Sequence, residues 1–156
     1  MKFQIVSKEG KNAYLRICEY FDKHKISYKK NEDSLSVECL AIGDDLPMPA
    51  TVIVEDGLKI LIFYSKLPFT VPTQMHFLVA KAICIINNSL IDGCFDFNIK
   101  NGEIHYRMTN SFLENEITDK IFSYMINTSF EIIDKYNDRL LDFINGKISI
   151  ETFNEQ

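Results

Sequence analysis

Tyr14, Ile17, Cys18 and Phe21 recur at helical spacing, and together they predict a first helix from about Lys8 to His24 with Ser7 as its N-cap. Residues 2–6 read as a short strand before it. From Pro72 to about Asp92-Gly93 nearly every side of a second helix is apolar, including Phe77, Leu78, Val79, Ile83, Ile85 and Ile86. Only Gln74, Lys81 and Asn88, seven residues apart, leave a narrow polar stripe. Such a helix is buried on several sides or meets a partner with one of them. Phe122, Ile126, Ser129, Ile133, Tyr136, Leu140 and Ile144 keep the 3.6-residue period of a third helix, from about Glu116 to Asn145. Asn145-Gly146 ends it, and Ser149 caps a final short turn through Phe153.

Between the first two helices the period changes to two. Glu32-Asp33 is a weak turn signal, whereas Asp56-Gly57 and Asn101-Gly102 are strong ones, because two-residue type I′ turns need positive φ at both central positions. A two-residue loop at Asn101-Gly102 pairs Lys100 with Glu103. Phe95, Phe97 and Ile99 then face Met108, Tyr106 and Ile104, while Asp96 meets Arg107 and Asn98 meets His105 on the other side. The Asp56-Gly57 hairpin is apolar on both faces: Ile53, Ile60 and Ile62 on one, Val52, Val54, Leu61 and Phe63 on the other. That predicts a central strand pair covered at least partly on each side. Gly43 to Pro49, with two aspartates and two prolines, reads as the one long loop. Helix, two strand pairs, helix, hairpin and long helix make an α+β fold, an antiparallel sheet with helices packed on it.

The 156 residues suit a single domain spanning 1–156, since domains cluster at about 100–150 residues. A hydrophobic share of 46% excludes a disordered regulator. Net charge −5 argues against nucleic acid as the main partner, because phosphate binding needs a basic face. Residues 1–66 balance ten basic against ten acidic side chains, so the acidic excess lies in residues 67–156. One basic cluster stands out, formed by Lys23, His24, Lys25, Lys29 and Lys30, and a solvated helix end and hairpin account for it. Cys18, Cys39, Cys84 and Cys94 show no zinc or redox spacing, and Cys18 and Cys84 fall in apolar helical stretches where a thiol acts as a small hydrophobe. Unframed thiols, no signal-peptide pattern and no apolar run long enough to span a bilayer predict a cytoplasmic chain away from membranes.

No nucleophile elbow, glycine-rich phosphate loop or zinc-protease motif is present. His24, His76 and His105 stand on three different elements, and adjacent Asp44 and Asp45 point apart, so no metal or cofactor is expected. Asp96, Asn98, His105 and Arg107 form the clustered polar group of one sheet face. This group lacks a nucleophile and a fixed third member, so it reads as a binding or structural group rather than a catalytic one.

The run Leu67-Pro68-Phe69-Thr70-Val71-Pro72, a helix, then Ile86-Asn87-Asn88-Ser89-Leu90-Ile91-Asp92-Gly93-Cys94-Phe95-Asp96-Phe97 and Gly102-Glu103-Ile104-His105-Tyr106-Arg107 resembles the YbjN-like family. That family carries an Asn six residues before a Gly-x-Phe strand, then a Gly-x-x-x-Tyr-Arg strand and a long helix with a Tyr that Tyr136 matches. The resemblance is clearest from Ala50 to Gly146, and Cys94-Phe95-Asp96-Phe97 departs from the family's hydrophobic–acidic alternation. It implies a fold like that of type III secretion chaperones, no catalytic residues, and a bacterial, cytoplasmic protein-binding module that is often dimeric. Some members are described as candidate sensory transduction regulators. Two functions follow: a non-enzymatic protein-binding or regulatory module, a homodimer with a protein or peptide client, or a small-molecule-binding or enzymatic domain with a polar site on the Cys94–Thr109 hairpin. The first predicts surplus apolar surface and an exposed sheet edge, the second a deep pocket with convergent polar groups.

Overall fold

The computed structural model describes residues 6–154. Helix α1 (Lys8–Lys23) is followed by strands β1 (Tyr28–Asn31), β2 (Ser36–Ile42), β3 (Pro47–Glu55) and β4 (Ile60–Thr70). A 3-10 turn (Thr73–Met75) leads into α2 (His76–Ser89). Strands β5 (Cys94–Asn98) and β6 (Glu103–Ser111), helix α3 (Asp119–Ile144) and a 3-10 turn (Ile150–Phe153) complete the order. The expected strand over residues 2–6 lies outside the described residues except for Val6, which is not in a strand.

The six strands form one antiparallel sheet in the order β1-β2-β3-β4-β6-β5. Alternation puts Val37, Val52, Phe63 and Met108 in one cross-sheet row, all buried against the helices. Phe95 and Tyr106 pack edge-to-face with the α3 residue Tyr136 or with Phe63, and Ile17 and Phe21 of α1 close the other end of the core. Ser7 caps α1 by accepting from the Gly10 N–H, and Thr118 does the same for α3 through Ile121. Helix α3 therefore starts three residues after the expected Glu116, because its cap is Thr118. Asn145 ends it, with Gly146 at φ 72.

The hairpins depart from expectation in one consistent way. Glu55 pairs with Ile60 and Asn98 with Glu103, and the weak turn pairs Asn31 with Ser36. Each loop is thus four residues long, and its last residue, Leu35, Lys59 or Gly102, has positive φ (47, 54 and 73). A type I-based loop closed by one left-handed residue replaces the type I′ turn that needs two. In the β5–β6 loop the cause is local: the Asn98 side chain accepts the Lys100 N–H at 3.0 Å, and the Asn98 carbonyl accepts the Gly102 N–H at 2.8 Å.

The β5–β6 register consequently moves by two. Phe97 faces Ile104, Phe95 faces Tyr106 and Asp96 faces His105, while Ile99 sits in the turn, 62% exposed. A shift of two leaves every other residue on its expected face.

Three further expectations are corrected. Gly43 to Pro49 is not a long loop: Ile42 pairs with Pro47, so the connection is 43–46. Pro47 and Pro49 stand in β3 before its ladder with β4, which begins at Thr51, so there they have one neighbouring strand. Helix α2 stops at Ser89 rather than near Asp92-Gly93. The Ile53 and Ile62 face is not covered by helices, which all pack on the opposite face with Val52, Leu61 and Phe63, so these isoleucines stay half-exposed.

Candidate functional site

Alternation on β5 and β6 brings Cys94, Asp96, His105 and Arg107 to the open face of the sheet, beside Tyr64 and Lys66 of β4. Arg107 lies opposite Cys94, and its guanidinium reaches diagonally to Asp96, with Nε 2.8 Å from Oδ2 and Nη2 3.3 Å from Oδ1. Both side chains are nearly half exposed, which limits such a pair to about 0.2–1 kcal/mol. The same guanidinium donates to the Cys94 sulfur at 3.4 Å. Burial and the Asp96 charge still push the Cys94 thiol up, against Arg107, so it remains a thiol and not a nucleophilic thiolate.

The His105 ring stacks on Tyr64 at 4.7 Å, and its Nε2 lies 3.4 Å from Glu103. Glu103 also accepts from Lys66, whose hydrogen bond holds that carboxyl below the usual range. The His105 Nδ1 is buried without a partner. Asn98 does not join the group, since its side chain closes the turn. Of the four residues expected together, the fold therefore assembles Asp96, His105 and Arg107. They lie on a flat sheet face without a nucleophile–base pair, and among the described residues no three His, Cys, Asp or Glu could hold a metal ion.

His24 is the C-cap of α1 and packs against Tyr20 with the rings tilted by 39°. The His76 Nε2 lies 3.1 Å from the Val71 carbonyl, next to the Gly102 turn.

Two further surfaces bear on function. Helix α2 buries Val79, Ala82, Ile83 and Ile86 and turns Phe77, Leu78 and Cys84 outward. Phe77 is 79% exposed, so α3 does not cover that side, and Cys84 is no core residue. The second surface is the sheet's pair of outer edges. At β5 the side chain of Asn87 replaces a strand: its Nδ2 donates to the Phe95 carbonyl at 2.9 Å, and its Oδ1 accepts the Phe95 N–H at 2.8 Å. Composition and periodicity left Asn87 unmarked. The only signal was its spacing to the Gly93-x-Phe95 strand, whose backbone it holds.

No family model matches the chain, and no curated protein is similar to it in sequence. Solved structures are similar in fold. The crystal structure of YbjN from E. coli, a proposed transcription regulator, superposes with a TM-score of 0.59 at 15% identity, over 77% of this chain and 84% of that one. A chain of the HopA1–SchA chaperone–effector complex gives 0.53 at 12% identity, over 82% and 96%. A chain of the ExsC–ExsE complex gives 0.57 at 9% identity, over 82% and 95%. The fold is thus the YbjN-like, secretion-chaperone-like α+β arrangement that the sequence resemblance implies. Among the described residues no helix is long and apolar enough to cross a membrane.

Proposed function

We propose that the chain is a single-domain, non-enzymatic protein-binding or regulatory module that acts as a homodimer in the bacterial cytoplasm and holds a protein or peptide client. One observation carries this reading: the outward face of α2 presents Phe77, Leu78 and Cys84 to solvent around Lys81, and Ile91 in the following loop is 98% exposed. Large apolar side chains left exposed on one helix face mark interaction sites on monomers. A two-fold axis through α2 sets the same patch against itself, and a stable pair buries roughly 1,200–2,000 Å² in total. The likeness in fold to a chain of a chaperone–effector complex supports a protein client.

Light scattering tests the dimer. The expected mass is about twice the 18.1 kDa of one chain, and Phe77→Asp halves it while Lys11→Asp, at an exposed position of α1, does not. Capture from the native host, read by mass spectrometry, tests the client. A mass near one chain across micromolar concentrations defeats the dimer, and enrichment of no protein defeats the client.

A second reading has a specific observation in its favour. The half-exposed Asp96–Arg107 pair, beside the stacked His105 and Tyr64 rings, offers charged groups to a small polar ligand on the open sheet face. Against it, the best-formed pockets among the described residues are open to solvent, and none of these is lined by Tyr64, Asp96, His105 or Arg107.

A further inference from the structure

On the open face of the sheet a histidine is held in a setting that suits only its neutral form. The His105 side chain is 12% exposed, and its Nδ1 is closed to solvent and without a partner. The ring lies over Tyr64, with centroids 4.7 Å apart and planes 25° apart. Its Nε2 is 3.4 Å from the Glu103 Oε2. Lys66 of β4 and Asp96 of β5 stand across from it on either side.

A neutral imidazole carries one proton, and with that proton on Nε2, which faces Glu103, only a lone pair is left bare at Nδ1. Protonation makes Nδ1 a donor as well. A buried N–H with no acceptor costs free energy, and one that carries a positive charge costs more.

The surrounding groups do not relieve it. Glu103 and Asp96 attract an imidazolium, whereas Lys66 and Arg107 repel it. Both carboxylates are already engaged, Glu103 by Lys66 and Asn101, Asp96 by Arg107, and neither reaches Nδ1. Burial holds the Tyr64 hydroxyl and the Cys94 thiol up, so both are uncharged at neutral pH. All three helices pack on the opposite face, which leaves the ring room to swing outward.

We infer that His105 is an acid-operated latch on the open sheet face: swung off Tyr64, its ring takes a proton from water at Nδ1, and the imidazolium does not return to the closed site. The Tyr64 ring is then bared. Imidazole is the side chain whose charge ordinarily changes between about pH 5 and 8, so the latch works in mildly acidic solution. This rests on the geometry of β4, β5 and β6 and not on the protein-binding reading, and either can fail without the other.

The test is NMR of the ¹³C,¹⁵N-labelled full chain at about pH 7.5 and about pH 5. Contacts between the His105 and Tyr64 rings should give strong NOEs at the higher pH and lose most of that intensity at the lower. Those between Phe95 and Tyr106, on the helix-covered face, should persist. His105→Phe keeps a ring over Tyr64 and takes no proton, so it should abolish the acid-induced shifts of the Tyr64, Lys66 and Arg107 amides. Full His105–Tyr64 NOEs with the imidazole shown protonated by its ¹³Cε1 shift overturn the inference, as does a ring that stays neutral at the lower pH. Acid shifts that survive in His105→Phe overturn it as well, since His24, His76 or a carboxylate would then be their source. Simultaneous loss of the Phe95–Tyr106 NOEs would be unfolding rather than local release, and also defeats it. The NOEs of the wild-type chain decide the matter even if His105→Phe does not fold.

Discussion

The Asp56 carboxylate, in the β3–β4 turn, accepts both the backbone N–H of Ser7 at 2.7 Å and its hydroxyl at 2.5 Å. The residue that caps α1 is therefore itself held by a turn 49 residues away. Lys59 completes the group, its Nζ 2.5 Å from the Ser7 Oγ and 2.6 Å from the Asp56 Oδ1. This ties the start of α1 to the central strand pair, and its removal should loosen both together.

Burial pushes the Asp56 carboxyl up, but hydrogen bonds from Lys59 and Ser7 and the Lys59 charge outweigh it and hold the group down at about 2. A carboxyl depressed in the folded state stabilises the fold above its ordinary value of 3.8, and that contribution is lost as pH falls through about 2. Asp56→Asn should cost about 1–3 kcal/mol at pH 7. The gap to wild type should shrink as pH drops from about 4 towards 2. Urea titrations at stepped pH measure it, and a gap constant with pH would refute the assignment.

Gly10 stands where this carboxylate comes close. A Cβ there would lie 2.3 Å from the Asp56 Oδ1. Gly→Ala inside a helix ordinarily gains about 1 kcal/mol. Here Gly10→Ala should instead lower the melting temperature, and by less in an Asp56→Ala background, where only the residue 56 Cβ at 3.0 Å remains in the way. The coupling in a double-mutant cycle is the measurement.

Gly102→Val should destabilise by more than the roughly 1 kcal/mol of left-handed strain, since a Cβ there would meet the Val71 carbonyl at 2.4 Å as well. Gly146 has nearly the same φ, 72, but open space around it. Gly146→Ala should therefore show the strain alone, about 1 kcal/mol. Equal thermal shifts for Gly102→Ala and Gly146→Ala would remove the steric part of the argument.

Asn87→Ala would leave the Phe95 N–H and carbonyl without their side-chain partner at a sheet edge, at a cost of about 1–3 kcal/mol. Hydrogen exchange at Phe95 should quicken, and the freed edge should raise the tendency to self-associate. Asn87→Asp keeps the acceptor and loses the donor, so it should retain protection of the Phe95 N–H while still losing stability.

Arg107→Ala should change stability by less than about 1 kcal/mol, because the pair with Asp96 is half exposed. If the open face binds a ligand or partner, binding should fall far more than stability. Equal losses in calorimetric titration and in unfolding would leave Arg107 a purely structural role.

The order of elements, the caps at Ser7 and Asn145-Gly146, and the inward row of α3 from Phe122 to Leu140 follow from the sequence itself. These signals are local: a side-chain acceptor before an apolar period, and a period of 3.6. The sorting of Phe95, Ile104, Tyr106 and Met108 from Asp96, His105 and Arg107 was equally legible, since strand alternation depends only on parity. For the same reason alternation is blind to a shift of two. The true register awaited the four-residue loops, which are closed by one left-handed residue and by the Asn98 side chain.

Tertiary structure alone decided what each apolar face touches. The second face of the β3–β4 pair lies open and the outer side of α2 has no covering helix, because all three helices pack on one side of the sheet. It also decided which distant residues meet. Ser7 with Asp56, and His105 with Tyr64, are brought together by chain topology, and no pattern along the sequence encodes how far apart they end.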